Sequence, residues 1–237
     1  MKEYFPYNAE NIHPGFSIDC VILSYHKRKI YVLLNKFYLD GYWALPGGFM
    51  FANEDADSAA YRILKMRTGL SDIYLRQFHL FSDPKRTEMN QHLDFSRLEA
   101  QMGSQIMWIM RRFVTMGYYA LVRYDDIELV SHDNEQPGWY EVDKLPSMYS
   151  DHANIIRTAI TTLRELWEYF PLGEKLLPEQ FTISNLRNIY EFMLEKKLDR
   201  RNFQRKMLTD GVIQEVGRKE GVRYNAPVLY SFINKKI

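Results

Sequence analysis

The chain has 237 residues, 46% of them hydrophobic and 15% aromatic, with a formal net charge of +1. That composition excludes a disordered or low-complexity chain, and the length suits one domain of about 150 residues plus a smaller one. No stretch is apolar for long enough to span a bilayer, the opening "MKEYFPYNAENIHPG" lacks a signal-peptide core, and the single Cys20 cannot form an internal disulfide, so a reducing, cytoplasmic setting without membrane contact is expected. Charge is unevenly spread. From Phe181 to Ile237 there are 12 Lys+Arg against 6 Asp+Glu, whereas residues 1–180 carry 19 against 24. A basic C-terminal block on an acidic body is compatible with a nucleic-acid partner.

In chain order, "FSIDCVILS", "KIYVLLN", "IYLRQFHLF" and "RFVTMGYYALVRY" are apolar, β-branched runs bounded by turn residues or charges, and each predicts a strand. The short polar link "YHKRK" predicts an antiparallel hairpin for the first pair. Cys20 sits inside an apolar run, where a small buried hydrophobe is expected rather than a reactive thiol. The segment from Pro84 to Met110 has no clean period and reads as an inserted loop with a helical piece. After "YSDH", with Ser150 or Asp151 as candidate N-cap, Ile155, Ile156, Ala159, Ile160, Leu163, Leu166, Trp167 and Phe170 form a helical apolar stripe. Pro171, Gly173 and Pro178 then break the helix and mark a boundary. The domains expected are 1–150, a connecting helix and linker over 151–180, and a small basic domain over 181–237.

The stretch "GGFMFANEDADSAAYRILKMRTGL", Gly47 to Leu70, carries Gly48, then Glu54 after five residues, Arg62 after seven more, and Leu64, Gly69 and Leu70. Asn53 is a candidate N-cap, Glu54 and Asp55 suit the positive end of a helix, alanines 56, 59 and 60 permit close packing, and Gly69 suits the end. The frame resembles the Nudix box, and the preceding "WALPGG" strengthens the resemblance. Where that family's box carries glutamates, this chain has Ile63, Met66 and Arg67. A Mg²⁺ ion needs hard oxygen ligands, which this helix face does not offer, so neither a metal site nor catalytic residues are expected, nor any cofactor.

The basic block predicts a first helix in "FTISNLRNIYEFML", capped by Thr182, with Ile183, Leu186, Ile189, Tyr190, Met193 and Leu194 on one face. A second, shorter helix runs from the cap Asp199 to Gly211, carrying Arg200, Arg201, Arg205 and Lys206 around Phe203 and Met207, with Asn202 and Gln204 available for base edges. Then "VIQEVGRKEGVRYNAPVLYSFI" reads strand, basic turn, strand, placing Arg218, Lys219 and Arg223 on a wing. Helix-turn-helix plus wing predicts double-stranded DNA as partner, with Arg200, Arg201, Asn202, Arg205, Lys206, Arg218, Lys219 and Arg223 as its contacts.

A box without its carboxylates followed by a winged helix resembles the Nudix-related transcriptional regulators, across nearly the whole chain and through "WALPGGF", "DHANII" and the segment from Leu176 to Leu208. The resemblance implies an α+β protein: an N-terminal Nudix-like α/β/α sandwich with a mixed sheet, followed by a C-terminal winged helix-turn-helix domain. It implies a ligand-responsive homodimeric regulator, acting as repressor or activator on operator DNA. Within the class the chain most resembles the branch regulating pentose use, which responds to L-arabinose, so a pentose effector is expected, with ADP-ribose as the alternative. Lys36, Asp40, Trp43 and Glu135 are the candidate effector contacts, because a sugar site needs an aromatic face and planar polar groups. Few basic residues beyond Arg62 and Arg67 surround the box, which weighs against a pyrophosphate. Two other functions compete: an active hydrolase of nucleoside diphosphate derivatives, drawing carboxylates from Glu88 or Glu135, and an adaptor with a protein partner on the basic domain.

Overall fold

The computed structural model describes residues 12–36, 42–71, 73–86, 113–129, 136–167, 172–219, 221 and 226–233. The chain divides into two compact units, one of Met1–Leu23, Tyr31–Ala120 and Ile127–Ala159, the other of Ser24–Ile30, Leu121–Asp126 and Ile160–Ile237. None of the helices among the described residues is long and apolar enough to cross a membrane.

The seven-stranded sheet, most of which lies in the first unit, is built from β1 (Ile12–His26), β2 (Lys29–Lys36), β3 (Trp43–Ala44), β4 (Gly47–Phe51), β5 (Arg76–Phe81), β6 (Val114–Arg123) and β7 (Gln136–Glu141). The order is β3-β2-β1-β6-β5, with β4 pairing on β1 and β7 pairing on β2. Only Lys27 and Arg28 separate β1 from β2, which makes that pair the expected hairpin. Ile18, Cys20, Val21 and Ile22 are completely buried and Leu23 nearly so, as an apolar run in a central strand covered on both faces requires. Burial, and secondly the neighbouring Asp19 carboxylate, push the Cys20 thiol far up. The strand predicted in "IYLRQFHLF" begins only at Arg76, and the expected insert from Pro84 to Met110 lies outside the described residues beyond Arg86.

Helix α1 (Ala56–Thr68) packs against β4 and buries Ala59, Ala60, Ile63 and Leu64. Its cap is Asp55, not Asn53: the Asp55 carboxylate accepts from the Ser58 N–H at 2.7 Å, the geometry an N-cap needs, and Asn53 lies two residues too early. Gly69 ends the helix in the left-handed conformation, φ 73°, as its position in the sequence suggests. Helix α2 (His152–Trp167) buries Ile155, Ile156, Ala159 and Leu163 along the expected stripe; Phe170 lies outside the described residues.

In the second unit a 3-10 turn (Leu172–Lys175) leads to β8 (Phe181–Thr182), α3 (Ile183–Met193), α4 (Arg200–Thr209), β9 (Ile213–Arg218) and β10 (Val228–Phe232). The small sheet runs β8-β10-β9, antiparallel throughout, and β8 is a strand the sequence pattern does not reveal because it is two residues long. Thr182 caps α3 in a reciprocal box with Asn185, and the Asp199 carboxylate accepts from the Asn202 N–H at 2.8 Å to cap α4. Helix α4 stops at Thr209, with Asp210 as C-cap and Gly211 following at φ 63°. The unit closes around Ile183, Leu186, Ile189, Met193, Phe203, Met207, Ile213 and Tyr230, with Tyr190 and Phe203 edge-to-face at 5.1 Å between ring centres.

Candidate sensor box and nucleic-acid interface

The box helix and the loop before it form a closed set of internal bonds. The Glu54 carboxylate accepts from the Phe51 N–H at 2.7 Å and is ion-paired with Arg62, whose guanidinium also donates to the Phe49 carbonyl at 2.9 Å and lies over the Phe51 ring. Burial alone would push the Glu54 carboxyl up, but the hydrogen bonds from Arg62 and from the Phe51 backbone outweigh it and hold the group below the ordinary carboxylate range. Arg67 is 8% exposed; its Nε donates to the Gly47 carbonyl at 3.0 Å, and Asn35 donates to its own carbonyl at 3.0 Å. Ile63 is completely buried. A divalent cation does not fit here: Glu54 is committed to Arg62, Ile63 belongs to the core, and Arg67 brings a cation to where a ligand oxygen would have to stand. Among the described residues no group of three or more His, Cys, Asp or Glu is placed to hold a metal ion.

Beside the box lies a buried polar cluster that sequence reasoning missed. Arg86 donates to both carboxylate oxygens of Asp151, at 3.0 and 2.7 Å, to the Phe113 carbonyl at 3.2 Å, and to the Thr115 hydroxyl. Ser150 donates its hydroxyl to the Arg86 carbonyl at 2.9 Å. The side chains of Ser150 and Asp151, expected as helix caps, are thus occupied with Arg86. His152 accepts the Leu45 N–H on Nδ1 at 2.9 Å, and its Nε2 lies 3.8 Å from Asp19. Burial pushes the His152 pKa down, against the pull of the Asp19 and Asp151 carboxylates; burial pushes Asp19 up, against His152 and Arg86. Gly47 borders this cluster, and a Cβ there would stand 2.2 Å from an Asp19 oxygen, so a larger residue in the second place of the "PGG" run would have to displace the buried Asp19 carboxylate. The usable signal was the adjacency "SDH" before a long apolar helix, where two ionisable groups precede residues that must be buried.

Of the candidate effector contacts, Lys36 is exposed at the end of β2 and is the register partner of both Trp43 on β3 and Gln136 on β7. Trp43 is half-buried, tilted against Tyr140 with ring centres 4.5 Å apart. The structure therefore brings Lys36 and Trp43 together, while Asp40 and Glu135 lie outside the described residues, as does Glu88.

On α4, Phe203 and Met207 fill the core and Arg200, Arg201, Asn202, Arg205 and Lys206 are exposed, the amphipathic division the sequence implies. Arg205 donates to the Asn202 side-chain oxygen at 3.0 Å, and Lys206 pairs with Asp210 at 3.0 Å. Gln204 is not available for base edges: it is half-buried and donates to the Tyr230 hydroxyl at 2.8 Å, tying the helix to β10. Arg218 and Lys219 are exposed at the end of β9, and Arg223 lies outside the described residues.

The two units define a class: a Nudix-like α/β domain with a mixed sheet, joined to a C-terminal winged helix domain. Residues 173–232 match the model of the NrtR DNA-binding winged helix domain. Over 227 residues the chain is 27% identical to the ADPR responsive transcriptional repressor NtrR of Acinetobacter baylyi, covering 92% of this chain and 82% of that protein. The crystal structure of Shewanella oneidensis NrtR complexed with a 27mer DNA is similar in fold, with a TM-score of 0.68 and 23% identity over 92% of this chain and 93% of the other. A MutT/nudix family protein from Enterococcus faecalis also gives a TM-score of 0.68, at 21% identity over 96% of this chain and 89% of its own. The fold of this chain is thus similar to that of NrtR.

Proposed function

We propose that this chain is a DNA-binding transcriptional repressor whose Nudix-like domain senses a small molecule, with ADP-ribose as the effector and without catalysis. The observation that carries the proposal is the exposed basic face of α4 within a segment that matches a DNA-binding winged helix model. Arg200, Arg201, Asn202, Arg205 and Lys206 on the helix, and Arg218, Lys219 and Arg223 on the wing, are the residues proposed to hold duplex DNA. A homodimer on a two-fold operator follows, because one helix covers only a few base pairs of the major groove. ADP-ribose is preferred over a pentose because the relative at 27% identity is an ADPR responsive repressor. Lys36, Asp40, Trp43 and Glu135 remain the proposed effector contacts, with the Trp43 face suited to stacking. The box favours sensing over turnover, since Ile63, Met66 and Arg67 occupy the positions where metal-binding carboxylates would stand. The proposed site of action is the cytoplasm.

Selecting duplexes from a random library with the full chain supplies a probe. Fluorescence anisotropy with that duplex should show salt-dependent binding. ADP-ribose should weaken it and L-arabinose should not, and by reciprocity the duplex should weaken ADP-ribose binding by the same factor. Release by L-arabinose in place of ADP-ribose would make the effector a pentose. Absence of salt-dependent binding to any duplex would overturn the regulator, and Mg²⁺-dependent hydrolysis of ADP-ribose that disappears in Glu54→Gln would make the protein an enzyme.

A further inference from the structure

We infer that the β1–β2 turn, Lys27 and Arg28, is an additional DNA-backbone contact that the larger domain's sheet contributes to the winged helix unit. The inference rests on the DNA-binding proposal above. Three observations carry it. The turn lies in Ser24–Ile30, a segment that belongs to the same compact unit as Ile160–Ile237, so the hairpin tip is part of the winged helix body. Within that unit Asn188 of α3 donates to the Tyr25 hydroxyl at 3.3 Å. In a helix-turn-helix the helix before the reading helix crosses the nucleic-acid backbone, and α3 holds that place here, so Tyr25 ties the turn to the element that lies along phosphates.

The second observation is charge. Lys27, Arg28 and Lys29 are all exposed at the tip. In the neighbouring 3-10 turn (Tyr124–Asp126), Asp125 lies 4.0 Å from the His26 ring nitrogen and Asp126 3.8 Å from the Arg123 guanidinium.

The third is the backbone. Lys27 and Arg28 have φ of 44° and 66°, the left-handed conformation at both positions of a two-residue hairpin turn. That turn strongly favours Asn-Gly, because β-carbons are strained there. Two long cations occupy the positions where the fold itself would prefer asparagine and glycine, so the choice of residues works against the turn. Strain kept at a surface position points to a job outside folding. Two cations held rigidly on a tight turn suit adjacent phosphates, which reward charge and placement and ask for no base reading.

The variant that tests this is Lys27→Asn/Arg28→Gly in the full chain, which removes both charges while relieving the backbone. Its melting temperature should equal or exceed that of the unchanged protein. For the selected duplex, affinity at about 0.15 M salt should fall several-fold, and the slope of log K against log salt should flatten by about two, near 0.9 for each phosphate left without its cation. Lys27→Gln/Arg28→Gln, which keeps the side chains long, should give the same change in slope. Preference for the selected duplex over a scrambled one should be unaltered, whereas Arg205→Ala should lose it. Equal slopes in the unchanged and turn-substituted proteins, with Arg205→Ala still impaired, overturn the inference alone. Loss of salt-dependent duplex binding in the unchanged protein overturns the DNA-binding proposal with it.

Discussion

The arginines of α1 and those of α4 differ in what they touch. Arg62 and Arg67 are spent on internal partners, Glu54 and the Phe49 carbonyl for one and the Gly47 carbonyl for the other, whereas Arg200, Arg201 and Arg205 project from a helix whose opposite face fills a core. The first pair ties the α1 helix to the β4 strand and the loop between them. The second set leaves charge on the surface, where an anion can reach it. Motif spacing alone does not separate these uses; burial does.

Returning a carboxylate to the box has the largest expected effect. Ile63→Glu should cost upward of about 4 kcal/mol in urea unfolding, because the side chain is completely buried and would carry an unpaired charge or an unsatisfied carboxyl. A variant that keeps its stability and gains Mg²⁺ affinity by calorimetry would show that the ligand geometry survives. Asp151→Ala should cost about 3–5 kcal/mol, since it leaves Arg86 buried without its carboxylate.

The buried ionisable groups should make stability depend on pH. Burial holds His152 below its ordinary value of 6.5, so as pH falls beneath 6.5 the unfolded imidazole takes up a proton that the native one refuses. Stability should therefore decline from that pH downward to the folded value, and His152→Gln should flatten the decline. Glu54→Gln should cost about 1–3 kcal/mol at neutral pH by weakening the clip to Arg62. Because the Glu54 pKa is lowered from 4.5, its contribution is fully present above that pH and lost as pH falls through the lower folded value; the variant should lack that step. At the far end, Arg205→Ala should change folding stability by no more than about 0.5 kcal/mol while costing about 1–3 kcal/mol of discrimination between selected and scrambled duplexes.

Much of the fold was legible because its signals are local. Thr182, Asp199 and Gly69 lie at helix ends and act within three or four residues, and the apolar stripe from Ile155 to Trp167 is a periodic pattern. The box was legible as spacing, and the absence of carboxylates at Ile63, Met66 and Arg67 as residue type. What escaped notice depends on partners distant in sequence. Arg86 finds Asp151 across 65 positions, and Gln204 finds Tyr230 across 26, so neither bond could be read from neighbours. Asn53 and Asp55 are both good caps by type, and only the start of the helix chooses between them. Trp43 is recognisable as an aromatic in a glycine-rich setting, but its approach to Tyr140 requires β2 to pair with both β3 and β7.

Cys20 gives the molecule a built-in clock. As the single thiol of the chain, completely buried in a central strand and held protonated by its surroundings, it meets a disulfide reagent only when the sheet opens. The rate of labelling under native conditions then counts opening events, and a small molecule that binds only the closed form slows that count in proportion to its occupancy. Effector candidates can be ranked this way on the unlabelled, unmutated chain, with no operator in hand.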